Sequence, residues 1–185
     1  VLIGDDVPAD AASGAVALAH AGGFVVHGTQ VASRGAYPSD DPCWAGMLKP
    51  DFAAIRATLG DVEAVVLIGG RAFVAYPYRE ERPIPESCRV FHIASSADAF
   101  GREFPADVAI HGDVSASLEA IASALKSRVD AGRAAARVAA LGEAKRAHEA
   151  RVRADIEATC DARPLGPDAA VLSVFDALPA NCLIA

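Results

Sequence analysis

The sequence predicts an α/β fold built around a parallel sheet, and three observations predict it. Five short apolar runs recur through the first two-thirds of the chain: residues 1–4 (VLIG), 24–28 (FVVHG), 65–70 (VVLIGG), 90–94 (VFHIA) and 108–112 (VAIHG). Their apolarity is continuous rather than alternating, as expected of strands covered on both faces. Each run closes on glycine or a small residue, and stretches of helical pattern separate some of them. The result is a Rossmann-like parallel sheet of five to six strands with helices on both faces, followed by a C-terminal helical extension. Ligands of such sheets bind beyond the carboxyl ends of the strands, so site residues are sought there.

The elements follow in order. After the first strand, Pro8 suits the first turn of an alanine-rich helix over 9–21, and Gly22-Gly23 ends it before the second strand. Residues 29–50, with Pro38, Pro42, Gly35 and Gly46, read as a long irregular loop of the kind that is functional or packs on a partner. A helix over 51–59 leads to the central strand at 65–70. Residues 75–87 hold three prolines and five charged side chains, which predicts an exposed crossover. Asp113 reads as the N-cap of a helix whose Leu118, Ile121, Ala122 and Leu125 share one face. Residues 130–158 are rich in Ala, Arg and Glu and predict a helix with little to bury. The run 163–167 (RPLGP) breaks it, a further helix starts near Asp168, and 182–185 resemble the opening of a strand. The expected organisation is an α/β domain over 1–128, a helical linker over 129–164, and the start of another domain over 165–185. Since the chain opens at Val1 inside a strand pattern, a fragment of a longer protein is expected.

Composition narrows the function classes. The 185 residues are 52% hydrophobic, ample for a core, with a net charge of −7 that disfavours nucleic acid as a partner. Residues 126–163 carry nine Lys/Arg against six Asp/Glu, leaving −10 on the rest. The mixed signs and lack of aromatics there fit a solvated linker helix better than an RNA or membrane surface. No run spans a bilayer and no secretory signal opens the chain. The four cysteines, Cys43, Cys88, Cys160 and Cys182, match no zinc or CxxC spacing and read as idle thiols of a cytoplasmic protein.

No GxGxxG, P-loop, GxSxG or HExxH pattern is present. His27, His92 and His111 fall at or beside strand ends, as packed edge residues or as site residues. Gly69-Gly70-Arg71 is the leading cofactor-binding candidate: glycines let a ligand approach the backbone, and arginine meets phosphate. A tight turn with a surface arginine is the plainer reading. The pairs Asp5-Asp6 and Asp40-Asp41 lack a third ligand at metal spacing and read as turns or caps, so no metal site is expected.

In combination these segments resemble the central domain of thiamine-diphosphate-dependent enzymes, in the benzoylformate decarboxylase and acetolactate synthase branch. Residues 32–48 (ASRGAYPSDDPCWAGML) are similar to the family loop that passes from a small basic turn through Pro and His-Pro to an aromatic, a glycine and Met-Leu. Residues 65–73 (VVLIGGRAF) resemble its central strand and glycine turn. Ile110-His111-Gly112-Asp113-Val114 with Leu118 resembles the start of the domain's last helix, and 166–185 the opening of the diphosphate-binding domain.

The resemblance implies a segment that is the central scaffold of a decarboxylase (lyase) or acetolactate synthase-like transferase acting on a 2-oxo acid. It implies thiamine diphosphate and Mg2+ held outside the segment, by flanking domains that carry an activating glutamate and a Gly-Asp-Gly motif with a downstream Asn. The segment alone would be inactive. It would help build an active-site wall in a homodimer or homotetramer, and in some branches carry FAD or ADP. Where benzoylformate decarboxylases place an active-site histidine beyond the glycine turn, this chain has Tyr76, implied as a catalytic hydrogen-bond donor. Tyrosine, with an ordinary pKa near 10, relays protons poorly at neutrality. Ser95-Ser96 stand where the family tends to carry an acid. The alternatives are a stand-alone FAD/ADP-binding module of the same fold and a purely structural domain.

Overall fold

The computed structural model describes all residues except 30–34, 72, 74–79, 81, 103, 180 and 183–185. The chain forms two compact units, Val1–Gly142 and Glu143–Ala185.

The first unit contains the strands β1 (Leu2–Ile3), β2 (Val26–Gly28), β3 (Trp44–Met47), β4 (Ala64–Ile68), β5 (Arg89–Ala94) and β6 (Val108–His111). They form one sheet in the order β3-β2-β1-β4-β5-β6, parallel at every pairing. The α/β sheet expected from continuous apolar runs is thus present. Its order reverses direction between β1 and β4, which makes their carboxyl ends the topological switch point.

Alternation along the buried strands sends successive side chains to opposite faces, and each face has its own core. Ile3, Val26, Ile68 and Ile93 pack with Leu18 of α1 (Ala12–Gly22) and Leu118 of α3 (Val114–Lys126). Leu2, Val65, Leu67 and Val90 pack on the other side with Ile55 of α2 (Phe52–Leu59). The caps follow the sequence: Asp51 Oδ1 accepts the Ala54 N–H at 3.0 Å, and Asp113 Oδ1 accepts the Ala116 N–H at 2.7 Å. A short 3-10 turn, Ala9–Ala11, precedes α1, and Gly23 ends that helix with φ 64°.

Two expectations need correction. The stretch 29–50 is not wholly irregular, because β3 lies within it. This four-residue edge strand pairs Val26 with Trp44 and Gly28 with Met47, across a register shift. It alternates half-buried and exposed positions and contains Gly46 at φ 93°, so it lacks the continuous apolarity that marks the other strands. The crossover 75–87 is not exposed throughout either. Ile84 is 0% exposed, in the core on the α2 side, with Pro83 fully buried beside it. Proline there breaks secondary structure without forcing the chain into solvent.

The helix α4, Ala131–Glu157, begins in the first unit, where Ala134 is buried. In the second unit Arg153 binds the Glu157 and Asp176 carboxylates at 2.8 and 2.7 Å. Here α5 (Pro167–Ala177) begins on Pro167 and leaves Val171, Val174 and Phe175 exposed. Of the strand expected at 182–185, all but Cys182 lies outside the described residues. Among the described residues no helix is long and apolar enough to cross a membrane.

Candidate functional site

The carboxyl edge of the sheet gathers the sequence-selected residues, with a result the motifs did not foretell. At the switch point, where ligands of this topology usually lie, the turns after β1 and β4 bond to one another. Asp5 N–H donates to the Gly70 carbonyl at 2.6 Å and Gly70 N–H to the Asp5 carbonyl at 2.8 Å. Both neighbouring glycines serve this approach. A Cβ on Gly4 would stand 2.0 Å from the Gly70 oxygen, and one on Gly69, at φ +81°, would stand 2.2 Å from the Asp5 oxygen.

Side chains reinforce the backbone bridge. The Asp5 carboxylate, 3% exposed, forms an ion pair with the Arg71 guanidinium, whose side chain is 58% exposed. Asp6 and Arg71 both hold left-handed backbone conformations, at φ 62° and 47°. Aspartate tolerates that region more readily than arginine, so Arg71 is the strained partner. Two turns locked together this way leave the crevice between β1 and β4 stitched by the chain itself.

The opening at this edge lies one strand further on, beyond β4 and β5 on the α2 side. A cavity of about 230 Å3 is lined by Leu67, Gly69, Arg71, His92, Ala99, Arg102 and Phe104. His92 Nε2–H donates to the Gly69 carbonyl at 2.6 Å, which fixes the ring and anchors the glycine turn to β5. Phe100 presents an edge-on contact to His92, with ring centroids 4.9 Å apart. Phe104 packs edge-to-face on Phe73 and carries the Arg82 guanidinium 5.3 Å from its ring centroid. An apolar floor with Arg71 and Arg102 at its rim suits a small anion. The volume lies under the roughly 300 Å3 at which pockets begin to enclose drug-sized ligands.

Gly69, Gly70 and Arg71 therefore stand together, with Gly69 and Arg71 lining the cavity. Tyr76 lies outside the described residues. Ser96 caps the short turn Ala97–Ala99 by accepting the Asp98 N–H at 3.3 Å. His111 Nε2–H donates to the Ser95 carbonyl at 3.2 Å. His27 is buried in β2, and burial holds its imidazole below the ordinary value. His92 and His111 thus each engage a backbone carbonyl and brace the turns at this edge. Sequence reading missed Asp5 as the partner of Arg71, and Arg102 and Phe104 as lining. Asp5 was findable, because it follows the strand that flanks the switch point.

Comparison with known proteins agrees with the fold. The family model described as thiamine pyrophosphate enzyme, central domain, matches residues 1–121. Among solved structures, the chain is similar to the thiamine diphosphate-dependent 4-hydroxybenzoylformate decarboxylase of Rhodococcus jostii RHA1, at 24% identity and a TM-score of 0.59, over 68% of this chain and 24% of that one. Benzoylformate decarboxylase from Polynucleobacter necessarius matches at 20% identity and a TM-score of 0.56, over 66% of this chain and 23% of that one. The chain thus spans about a quarter of the length of these solved enzymes. No curated protein matches it. A parallel sheet with its switch point closed, matched over its first 121 residues by a single family model, places the chain in the family of thiamine pyrophosphate enzyme central domains.

Proposed function

We propose that this domain is the central scaffold of a thiamine-diphosphate-dependent decarboxylase or carboligase acting on a 2-oxo acid. The observation that carries the reading is the Asp5–Gly70 bridge, which fills the switch-point crevice where a nucleotide-binding module of this topology would hold its ligand. A scaffold gains rigidity from that closure.

The residues present do not fit thiamine diphosphate with its metal. In Gly112-Asp113-Val114 the Asp113 carboxylate caps α3 and Val114 is buried. Asp113 also belongs to no cluster of potential metal ligands among the described residues. In this reading the cofactor and Mg2+ belong to flanking domains, and the assembled enzyme is a cytoplasmic homodimer or homotetramer. Sequencing the flanking coding regions tests it. The expected result is a downstream Gly-Asp-Gly motif with its Asn and an upstream domain carrying the activating glutamate; neighbouring frames without them overturn the reading.

Tyr76, as a hydrogen-bond donor to substrate or intermediate, belongs to the same proposal. In the whole enzyme Tyr76→Phe is expected to lower kcat/KM by about tenfold, the worth of one hydrogen bond. An unchanged value removes Tyr76 from the site.

A second reading, an FAD- or ADP-binding module, draws support from Arg71 and Arg102 at the cavity rim. It requires a nucleotide to be released when the purified chain is denatured. A colourless preparation that releases none, and whose melting temperature ADP does not raise, leaves the scaffold reading alone.

A further inference from the structure

A second cluster of reactive side chains lies at the opposite, amino-end edge of the sheet. His20 sits in the last turn of α1, while Asp41 and Cys43 lie on the turn that enters β3. One ligand atom from each, imidazole nitrogen, carboxylate oxygen and thiol sulfur, falls within 4.8 Å of the others. We propose that His20, Asp41 and Cys43 form a binding site for one zinc ion, with water in the fourth position.

The local geometry prepares the carboxylate. Asp41 Oδ1 accepts both the Tyr37 hydroxyl and the Cys43 N–H, each at 2.8 Å. Those bonds fix the plane of the group and direct Oδ2 toward His20, whose Nε2 lies 2.8 Å away. Outer hydrogen bonds of this kind orient ligands in metal sites. Tyr37 is itself held by stacking on Trp44, with centroids 5.8 Å apart.

Thiolate, imidazole and carboxylate are the donor set that zinc takes, at about 2.3, 2.0 and 2.1 Å. A tetrahedral ion at those bond lengths needs its ligand atoms roughly 3.3–3.6 Å apart. The nitrogen–oxygen pair must therefore open by about half an ångström and the widest pair close by about one. His20, with a side chain 42% exposed, is free to make that adjustment.

On binding, the Cys43 thiol gives its proton to solvent as the zinc–sulfur bond forms. The His20 ring moves its proton from Nε2 to Nδ1, so Nε2 becomes the ligand. One aspartate and one thiolate then neutralise the dication, which suits a site whose thiol is buried and whose carboxylate is nearly so. Motif spacing hides this site, since its histidine lies 21 residues before its aspartate.

The test is titration of the reduced chain with Co2+, then Zn2+. The expected result is one equivalent of Co2+ with a thiolate-to-cobalt charge-transfer band, displaced by Zn2+, and a melting temperature raised by Zn2+. Cys43→Ser should remove the band and Cys88→Ser should keep it. His20→Ala, at an exposed position that should not disturb folding, should weaken Zn2+ by more than about 100-fold, and Tyr37→Phe by about tenfold. Absence of the band, a band that survives Cys43→Ser, or unchanged affinity in His20→Ala overturns the proposal.

Discussion

His27 shows how one side chain connects strand burial to pH. It lies within β2, its Nδ1 is buried with no hydrogen-bond partner among the described residues, and burial lowers its pKa. A histidine whose folded pKa lies below its unfolded value of about 6.5 binds its proton more readily in the unfolded chain. Its contribution is whole above that pH and declines as pH falls toward the folded value. Urea unfolding from pH 7.5 to 5 should therefore show stability dropping below about pH 6.5, and His27→Gln should flatten that drop. At this scale the sequence was readable as position but not as role. His111 ends β6 and His27 stands next to the end of β2, as read, whereas His92 lies inside β5, the fourth of its six residues. That His92 and His111 would spend their Nε2 protons on the carbonyls of Gly69 and Ser95 depended on which strand lies beside each in the sheet.

Most strands were legible because they bury, but β6 was read from its apolar run although Val108, Ala109 and His111 are exposed rather than covered on both faces. The runs that became β1, β4 and β5 announced themselves because both faces are largely covered, with His92 the one polar side chain inside the apolar runs. The edge strand β3 only half-buries alternate residues and carries a glycine, so its signal falls to that of a loop. Ile84 was obscured by the charges and prolines around it, though a single apolar residue there plugs the core. Helix starts were the clearest local signals, since a cap needs only its own residue and the next turn. Asp51→Ala should cost about 1 kcal/mol by removing the acceptor for the Ala54 N–H, read as a lower urea midpoint at unchanged slope.

Across the first unit, the candidate site depends on strand order, which no single segment encodes. Asp5 and Arg71 stand 66 residues apart and meet because β1 and β4 are neighbours at the point where the sheet reverses direction. The glycines after both strands were visible in the sequence, but their task was not: they bring two turns of the same chain together. Gly69→Ala should therefore destabilise by about 2 kcal/mol or more, combining a positive φ with a Cβ driven onto the Asp5 carbonyl. Gly101→Ala, with φ +72° and open space around it, should cost only the backbone preference, about 1–2 kcal/mol. Equal losses in the two variants would remove the close approach as the reason for glycine at position 69.

The parallel pairing of β1 with β4 also governs how the protein is made. The first strand leaves the ribosome long before its central neighbour exists, and no hairpin can hold its place in the meantime. Closing so long a loop delays the reward of the contacts it permits, which slows folding relative to topologies built from local contacts. Until β4 emerges, β1 has one unsatisfied edge, and a nascent chain stalled in that window would be the form most exposed to aggregation.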